Sequence, residues 1–112
     1  MRKLSDIKGQ ESMQVLADLV GPIANLAQDE KVMEMFAVKP VPKGKDKQAV
    51  AMERLAKGLP PLMKDHGDDF IRILAIIDGK TVEEYEADMT LQSLLQDFYS
   101  VMSDPSFRSF LS

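Results

Sequence analysis

The sequence lacks several of the residues that carry common protein chemistry. It has no cysteine among its 112 residues, which excludes disulfides, thiolate metal sites, thiol redox chemistry and a cysteine nucleophile. It has no tryptophan and only one histidine, His66, which is too few for a metal site or proton relay built from several histidines. The longest apolar run, residues 73–77, is far shorter than the roughly 20 residues that span a bilayer. We therefore expect no membrane partner.

Charge and composition narrow the class of protein further. Asp and Glu outnumber Lys and Arg by 18 to 14, which gives a net charge of −4, whereas a free-standing nucleic-acid binder normally needs a basic face. The basic residues at the N-terminus have no apolar segment behind them, so they do not form a signal peptide and a cytoplasmic location is expected. Hydrophobic residues at 45% and charged residues at 29% are ordinary for a globular chain. The length predicts one domain, residues 1–112, with a flexible Lys/Pro-rich loop at 39–47.

Apolar residues at three- and four-residue spacing predict an all-α protein. In the first helix, Gly21-Pro22 predicts either a kink or two short helices in register. In the third predicted helix, Gly58 followed by Pro60-Pro61 predicts that the helix ends there. Three methionines on the apolar stripes, Met13, Met52 and Met102, are predicted to be core. The predicted helices cover approximately residues 9–28, 30–37, 46–58, 68–78, 82–87, 91–103 and 105–111.

The segment from Asp68 to Asp78 is predicted to be the central helix. Between Phe70 and Ile77 only Arg72 is polar, and a helix that is apolar nearly all round is buried. A β-strand is the alternative because isoleucine is β-branched, but no second strand is present to pair with it. The predicted fold is therefore a compact orthogonal bundle of about five to seven helices around a buried central helix.

Capping residues support these helix boundaries. Asp29 is placed to cap the second helix and Thr90 the sixth. Thr81 and Glu84 have the spacing of a capping box, in which each side chain accepts from the other residue's backbone N–H. These are local signals, so they predict where helices begin without predicting how the helices pack.

No group of residues predicts catalysis. His66 lies among acidic residues in a segment whose sequence predicts a turn between two helices. Aspartates in such a turn cap the next helix more often than they bind a metal. The carboxylates of Glu83, Glu84, Glu86 and Asp88 follow one another closely and fit a solvated acidic face better than an acid–base pair. We therefore expect a protein that is not an enzyme and that binds no cofactor and no metal.

The eight methionines suggest a contact surface instead. Met33 and Met35 cannot both face inward on one short helix, and thioether side chains suit adaptable contacts with a partner helix. The last short helix presents a similar apolar set. Local packing over the main helices is the alternative for both sets. The candidate partner-binding residues are Val32, Met33, Met35, Phe36, Phe107, Phe110 and Leu111.

Four segments of the chain, in order, resemble small prophage proteins of Gram-positive bacteria, namely the tail assembly chaperones of long-tailed siphophages. Their shared motifs are packing and capping signals rather than chemical signatures, and the lysine-rich loop matches least well. The segments are Met1-Arg2-Lys3-Leu4-Ser5-Asp6-Ile7-Lys8-Gly9, Val15-Leu16-Ala17-Asp18-Leu19 followed by Pro22, Ile73-Leu74-Ala75 followed by Asp78-Gly79, and Glu83-Glu84-Tyr85.

The resemblance implies a cytoplasmic holdase without catalytic activity. Such a protein coats the aggregation-prone helical tape measure protein, recruits tail tube subunits around it and can self-associate. In many phages a translational frameshift adds a second domain to some copies, and a 112-residue product would correspond to the short form.

Two other classes stay open. One is a small phage-encoded adaptor or regulator that binds a host protein. Neighbouring genes for a major tail protein and a long tape measure protein would favour the chaperone instead. The other is a DNA-associated protein with a helix-turn-helix at residues 60–77, against which the acidic side chains of Asp65, Asp68 and Asp69 argue.

Overall fold

The structure is a computed structural model, and it describes residues 1–36, 43–44 and 46–111 of the chain. Within those residues it contains a short 3₁₀ helix at Leu4–Asp6, seven α-helices and no β-strand, which confirms the all-α prediction. Most of the predicted loop at 39–47 lies outside the described residues. The helices are α1 Gln10–Ala27, α2 Glu30–Phe36, α3 Lys47–Asp65, α4 Gly67–Asp78, α5 Val82–Asp88, α6 Leu91–Ser103 and α7 Pro105–Leu111.

Helix α4 lies at the centre of the bundle, as its sequence predicts. Phe70, Ile73 and Leu74 are almost completely buried, and α1, α3 and α5 all pack against this helix. Each such side chain stabilises the fold by roughly 1.5–3 kcal/mol relative to an exposed one. The helix ends at Gly79, which has a φ of 72°, a left-handed conformation that glycine adopts without strain.

The caps predicted at Asp29, Thr81 and Thr90 are present, whereas the aspartates expected to cap α4 do not cap it. The N-cap of α4 is His66, whose side chain makes no capping hydrogen bond, and Asp68 and Asp69 lie in the first turn. The Asp29 carboxylate accepts from the backbone N–H of Lys31 at 3.0 Å at the start of α2. Thr81 and Glu84 form the expected capping box on α5, and the Thr90 side chain accepts from the backbone N–H of Ser93. Local sequence therefore determines where these three helices begin.

Helix α3 continues past the point where its sequence predicts an end. It passes through Pro60 and Pro61 and ends only at Asp65. A proline in a helix leaves the carbonyl four residues earlier without its N–H partner. The carbonyls concerned belong to Ala56 and Lys57, which are exposed residues, so solvent can hydrate them.

Gly58 is a helix-crossing point rather than a helix end. A Cβ atom on Gly58 would lie 2.7 Å from the Met35 Cβ atom and 2.9 Å from the Lys31 carbonyl oxygen. Helix α2 therefore crosses α3 so closely that only a hydrogen fits between the two backbones. This tertiary contact explains why a helix-breaking sequence remains helical.

Helix α1 is one continuous helix. The three- and four-residue spacing predicts an apolar stripe of Met13, Leu16, Val20, Ile23 and Leu26, of which only Ile23 and Leu26 are buried. The buried side is formed by Val15, Leu19, Pro22, Ile23 and Leu26, which pack toward the bundle core. Met13 was predicted to be core but is 73% exposed. The helix carries apolar residues on two adjacent faces, and contact with α4 determines which face is buried.

The prediction that Met52 is core is also wrong, because its side chain is 62% exposed on α3. Met102 is half-buried at the edge of the core. In the described part of the chain, no helix combines the length and the apolar character needed to cross a membrane.

Substituting alanine for Gly58 tests the α2–α3 crossing. Gly58→Ala should lower the free energy of unfolding by about 1–3 kcal/mol, because the added methyl group overlaps backbone and side-chain atoms of α2. Gly67→Ala is the matched control, since Gly67 is also helical but has no atom within 4 Å of its added Cβ. It should stay within about 1 kcal/mol of wild type. Equal stabilities in urea denaturation would contradict the close crossing.

Candidate functional site

The two apolar sets predicted to bind a partner pack against each other. The rings of Phe36 on α2 and Phe107 on α7 meet edge to face, with centroids 5.8 Å apart and an interplanar angle of 63°. Val32 and Met35 are also buried in the core. In this conformation a partner cannot reach these four side chains from outside, which corresponds to the alternative of local packing.

The other three predicted partner residues differ in position. Met33 and Phe110 are half-buried, so each presents part of its side chain at the surface. Leu111 is the last residue of α7, and its side chain lies outside the described part of the chain. The partner-binding prediction for Met33 and Phe110 stays a prediction.

One largely apolar surface that the fold leaves open is a groove between α3 and α6. We call it the α3–α6 groove. It encloses about 250 Å³, and α3 forms one wall, α6 the other, with α2 and α7 contributing one residue each. The residues that line it are Met35, Ala51, Met52, Arg54, Leu55, Phe98, Tyr99, Met102 and Arg108.

The residues that line the groove differ in exposure, and those at its edges are accessible at the surface. Met35 is buried, with only 3% of its surface exposed. Leu55, Phe98 and Met102 are half-buried on the two walls. Met52 and Tyr99 stand at the surface on opposite walls, and Tyr99 is 72% exposed. The groove thus has a buried apolar base and two exposed apolar edges.

Helix α6 extends the apolar surface beyond the groove. Leu91 and Leu95 are exposed and lie two turns and one turn before Tyr99 on the same face of the helix. The stripe is about 12 Å long, since an α-helix rises about 1.5 Å per residue. Its length and spacing suit contact with one face of another helix.

The inner face of α6 holds this helix on the bundle. The Phe98 ring meets the Phe70 ring of α4 edge to face at 5.9 Å, and the Tyr85 hydroxyl donates to the Asp97 carboxylate. Burial is the larger cause and the contact with Asp97 the next, and both raise the pKa of Tyr85 well above its usual range. The hydroxyl therefore keeps its proton. Helix α6 thus keeps Asp97 and Phe98 toward the bundle, while Leu91, Leu95 and Tyr99 face outward.

A second exposed apolar stripe lies on α1. It consists of Met13, Leu16 and Val20, each more than half exposed. The two charged residues of this helix, Glu11 and Asp18, are both acidic. Because none of the stripe residues lines the α3–α6 groove, the α1 stripe provides a control surface of similar chemistry.

His66 is part of a small polar cluster where α2 meets the start of α4. Its Nε2 atom lies 3.0 Å from a carboxylate oxygen of Asp29, and its Nδ1 atom lies 3.9 Å from one of Asp69. The Asn25 amide donates to the other carboxylate oxygen of Asp69 at 3.1 Å. Among the described residues no group of His, Asp and Glu is arranged to hold a metal ion. The cluster joins α1, α2 and α4.

The Asp29 carboxylate is held in its charged form by its neighbours. Burial alone would raise its pKa, but hydrogen bonds from His66 and from the backbone N–H groups of Val32 and Lys31, together with the charge of His66, outweigh burial and lower the pKa. The helix cap and the histidine contact thus use the same carboxylate. By contrast, the four carboxylates of α5 considered for acid–base chemistry are exposed.

Sequence reasoning missed the α3–α6 groove because its walls come from distant segments. Met52 and Met102 were predicted to be core, whereas the structure places both on the groove walls. Tyr99 was not singled out, although it lies at helical spacing from Leu91 and Leu95. The signal that could have found it was the width of the α6 apolar stripe, which is too broad for one core-facing side.

Asparagine in place of Asp29 tests the charge interaction with His66. A pKa lowered in the folded state means that the carboxylate stabilises the fold above its ordinary pKa of 3.8 and loses this effect as the pH falls through the folded-state value. Asp29→Asn should therefore be less stable than wild type at pH 7, since asparagine still caps but carries no charge. The difference should shrink below pH 3.8. Denaturation at several pH values measures it, and a difference that does not change with pH would contradict the interaction.

Comparison of the chain with protein-family models, with curated proteins and with solved structures finds no match in any of the three. The function is therefore inferred from the geometry of the α3–α6 groove and from the sequence resemblance described above.

Proposed function

We propose that the protein is a phage tail assembly chaperone. It acts in the host cytoplasm as a non-catalytic holdase, binds helical segments of a tape measure protein and recruits tail tube subunits around it. The observation that carries this proposal is the accessible, methionine-rich α3–α6 groove, which offers a binding surface for an apolar helix.

The chemistry of the groove supports a client of variable sequence. Met52 and Met102 contribute two flexible, polarisable side chains that can adjust to different apolar residues, whereas the buried Met35 closes the base of the groove. An amphipathic helix binds such a groove through residues spaced at three and four positions, which is the helix-in-groove mode of recognition. A tape measure protein presents long stripes of this kind before the tail tube encloses it.

A holdase of this type needs no tight contact at any single position. Several copies that each bind weakly along one long client give strong net binding, because neighbouring sites on one chain have a high effective concentration. The small size of the domain then suits repeated binding along a client. The sequence segments that resemble tail assembly chaperones support the same role.

Coexpression with client fragments tests the proposal. Fragments of a tape measure protein encoded by a neighbouring gene should remain in the soluble fraction when they are coexpressed with the wild-type chain. Met52→Asp should reduce this soluble fraction severalfold, because it places a charge on the apolar wall of the groove. Met52 is suited to the test since its side chain is 62% exposed, whereas an aspartate at the buried Met35 or Phe36 would disrupt the core.

The matched control is Met13→Asp, which makes the same chemical change on the exposed α1 stripe. It should keep the client as soluble as wild type does, and circular dichroism should show both variants folded. Equal client solubility with Met52→Asp and wild type would contradict the proposal and favour the small phage-encoded adaptor that binds a host protein.

A further inference from the structure

The methionines that line the α3–α6 groove differ in how far water reaches them. Met52 is 62% exposed on the α3 wall, and Met102 is half-buried on the α6 wall. Met35 is buried at the base, and its sulfur atom lies against Gly58, 3.1 Å from the position that a Cβ atom would take there. Of these three thioethers, Met52 is therefore the one most open to a reagent dissolved in water.

Exposure determines how readily a methionine is oxidised, because the oxidant must reach the sulfur atom. Hydrogen peroxide transfers one oxygen atom to the thioether: the O–O bond breaks, an S–O bond forms, the sulfur loses two electrons and the peroxide is reduced to water. The chain has no cysteine, so no thiol within it competes for the oxidant. The two most exposed methionines, Met13 on α1 and Met52 on α3, should therefore react first.

Resting on the proposed function, we infer that Met52 is a modification site at which oxidation to methionine sulfoxide weakens helix binding in the α3–α6 groove. The sulfoxide is a polar group on a wall that a bound apolar helix covers. Binding then removes this group from water, which costs free energy unless a new hydrogen bond replaces its hydration, and an apolar stripe supplies none. Because methionine sulfoxide reductases reverse the reaction, the oxidation state of Met52 sets the affinity of the groove reversibly.

Peroxide treatment of the whole protein tests where oxidation occurs. Excess hydrogen peroxide is removed by buffer exchange, and mass spectrometry of proteolytic peptides then reports the sulfoxide at each methionine. Met13 and Met52 should be oxidised well before Met35 and Met102, and circular dichroism should show that the helices persist, because the two exposed side chains lie outside the core. Oxidation of Met35 or Met102 ahead of Met52 would overturn the inference.

A methionine-free probe tests the consequence for binding. The probe is a fluorescently labelled amphipathic peptide with leucines at three- and four-residue spacing, and fluorescence anisotropy measures its Kd before and after peroxide treatment of the protein. Oxidation should raise the Kd roughly tenfold, because one polar group is buried without a partner. Treatment with the two classes of methionine sulfoxide reductase, which act on opposite epimers, should restore the affinity.

Leucine variants assign the effect to one sulfur atom. Leucine is apolar, resembles methionine in volume and cannot form a sulfoxide. Each variant is compared with its own untreated form. Peroxide should leave the Kd of Met52→Leu almost unchanged, because the accessible thioether of the groove is absent. Met13→Leu is the matched control on the α1 stripe and should lose affinity on oxidation as the wild type does.

The outcomes separate this inference from the proposed function. Undiminished affinity in protein that is oxidised at Met52 would overturn the inference and leave groove binding intact. An equal loss of affinity in Met52→Leu and wild type would also overturn it, because the change would then come from another methionine. If the untreated protein does not bind the probe, both the inference and the proposed function fail.

Discussion

The close crossing of α2 over α3 at Gly58 is the contact on which the rest of the structure depends. Only a hydrogen fits between the two backbones there. Because the helices approach so closely, Met35 reaches the α3–α6 groove while Phe36 packs on Phe107. This ring contact fixes α7 and, with it, Arg108 at the edge of the groove. The absence of a side chain at Gly58 thus allows the close packing that positions both Phe36 in the core and Met35 at the base of the groove.

The resulting surface is largely apolar and carries methionine side chains on both walls. Methionine side chains on both walls can follow the outline of many apolar helices, which suits a client that is long and irregular. The exposed α1 stripe has similar apolar character, and the two charged residues of its helix, Glu11 and Asp18, are both acidic.

Local features of the fold could be predicted from the sequence, whereas features that depend on tertiary contact could not. The caps at Asp29, Thr81 and Thr90 depend on residues only two or three positions away. Helix α4 is apolar on nearly every side, so its burial follows from its sequence alone. The end of α3 depends on how α2 packs against Gly58, and the buried face of α1 depends on α4. For the same reason, the sequence could not show that Val32, Met35, Phe36 and Phe107 lie in the core where α2 meets α7.

The most direct test of the central claim is the methyl NMR spectrum of the protein, in which all eight methionines act as probes. Titration with a tape measure fragment should shift the methyl signals of Met52 and Met102, which lie on the two walls of the α3–α6 groove. The signal of Met13 on α1 should stay in place. A shift of Met13 with no change at Met52 and Met102 would contradict the assignment of the groove as the client-binding site.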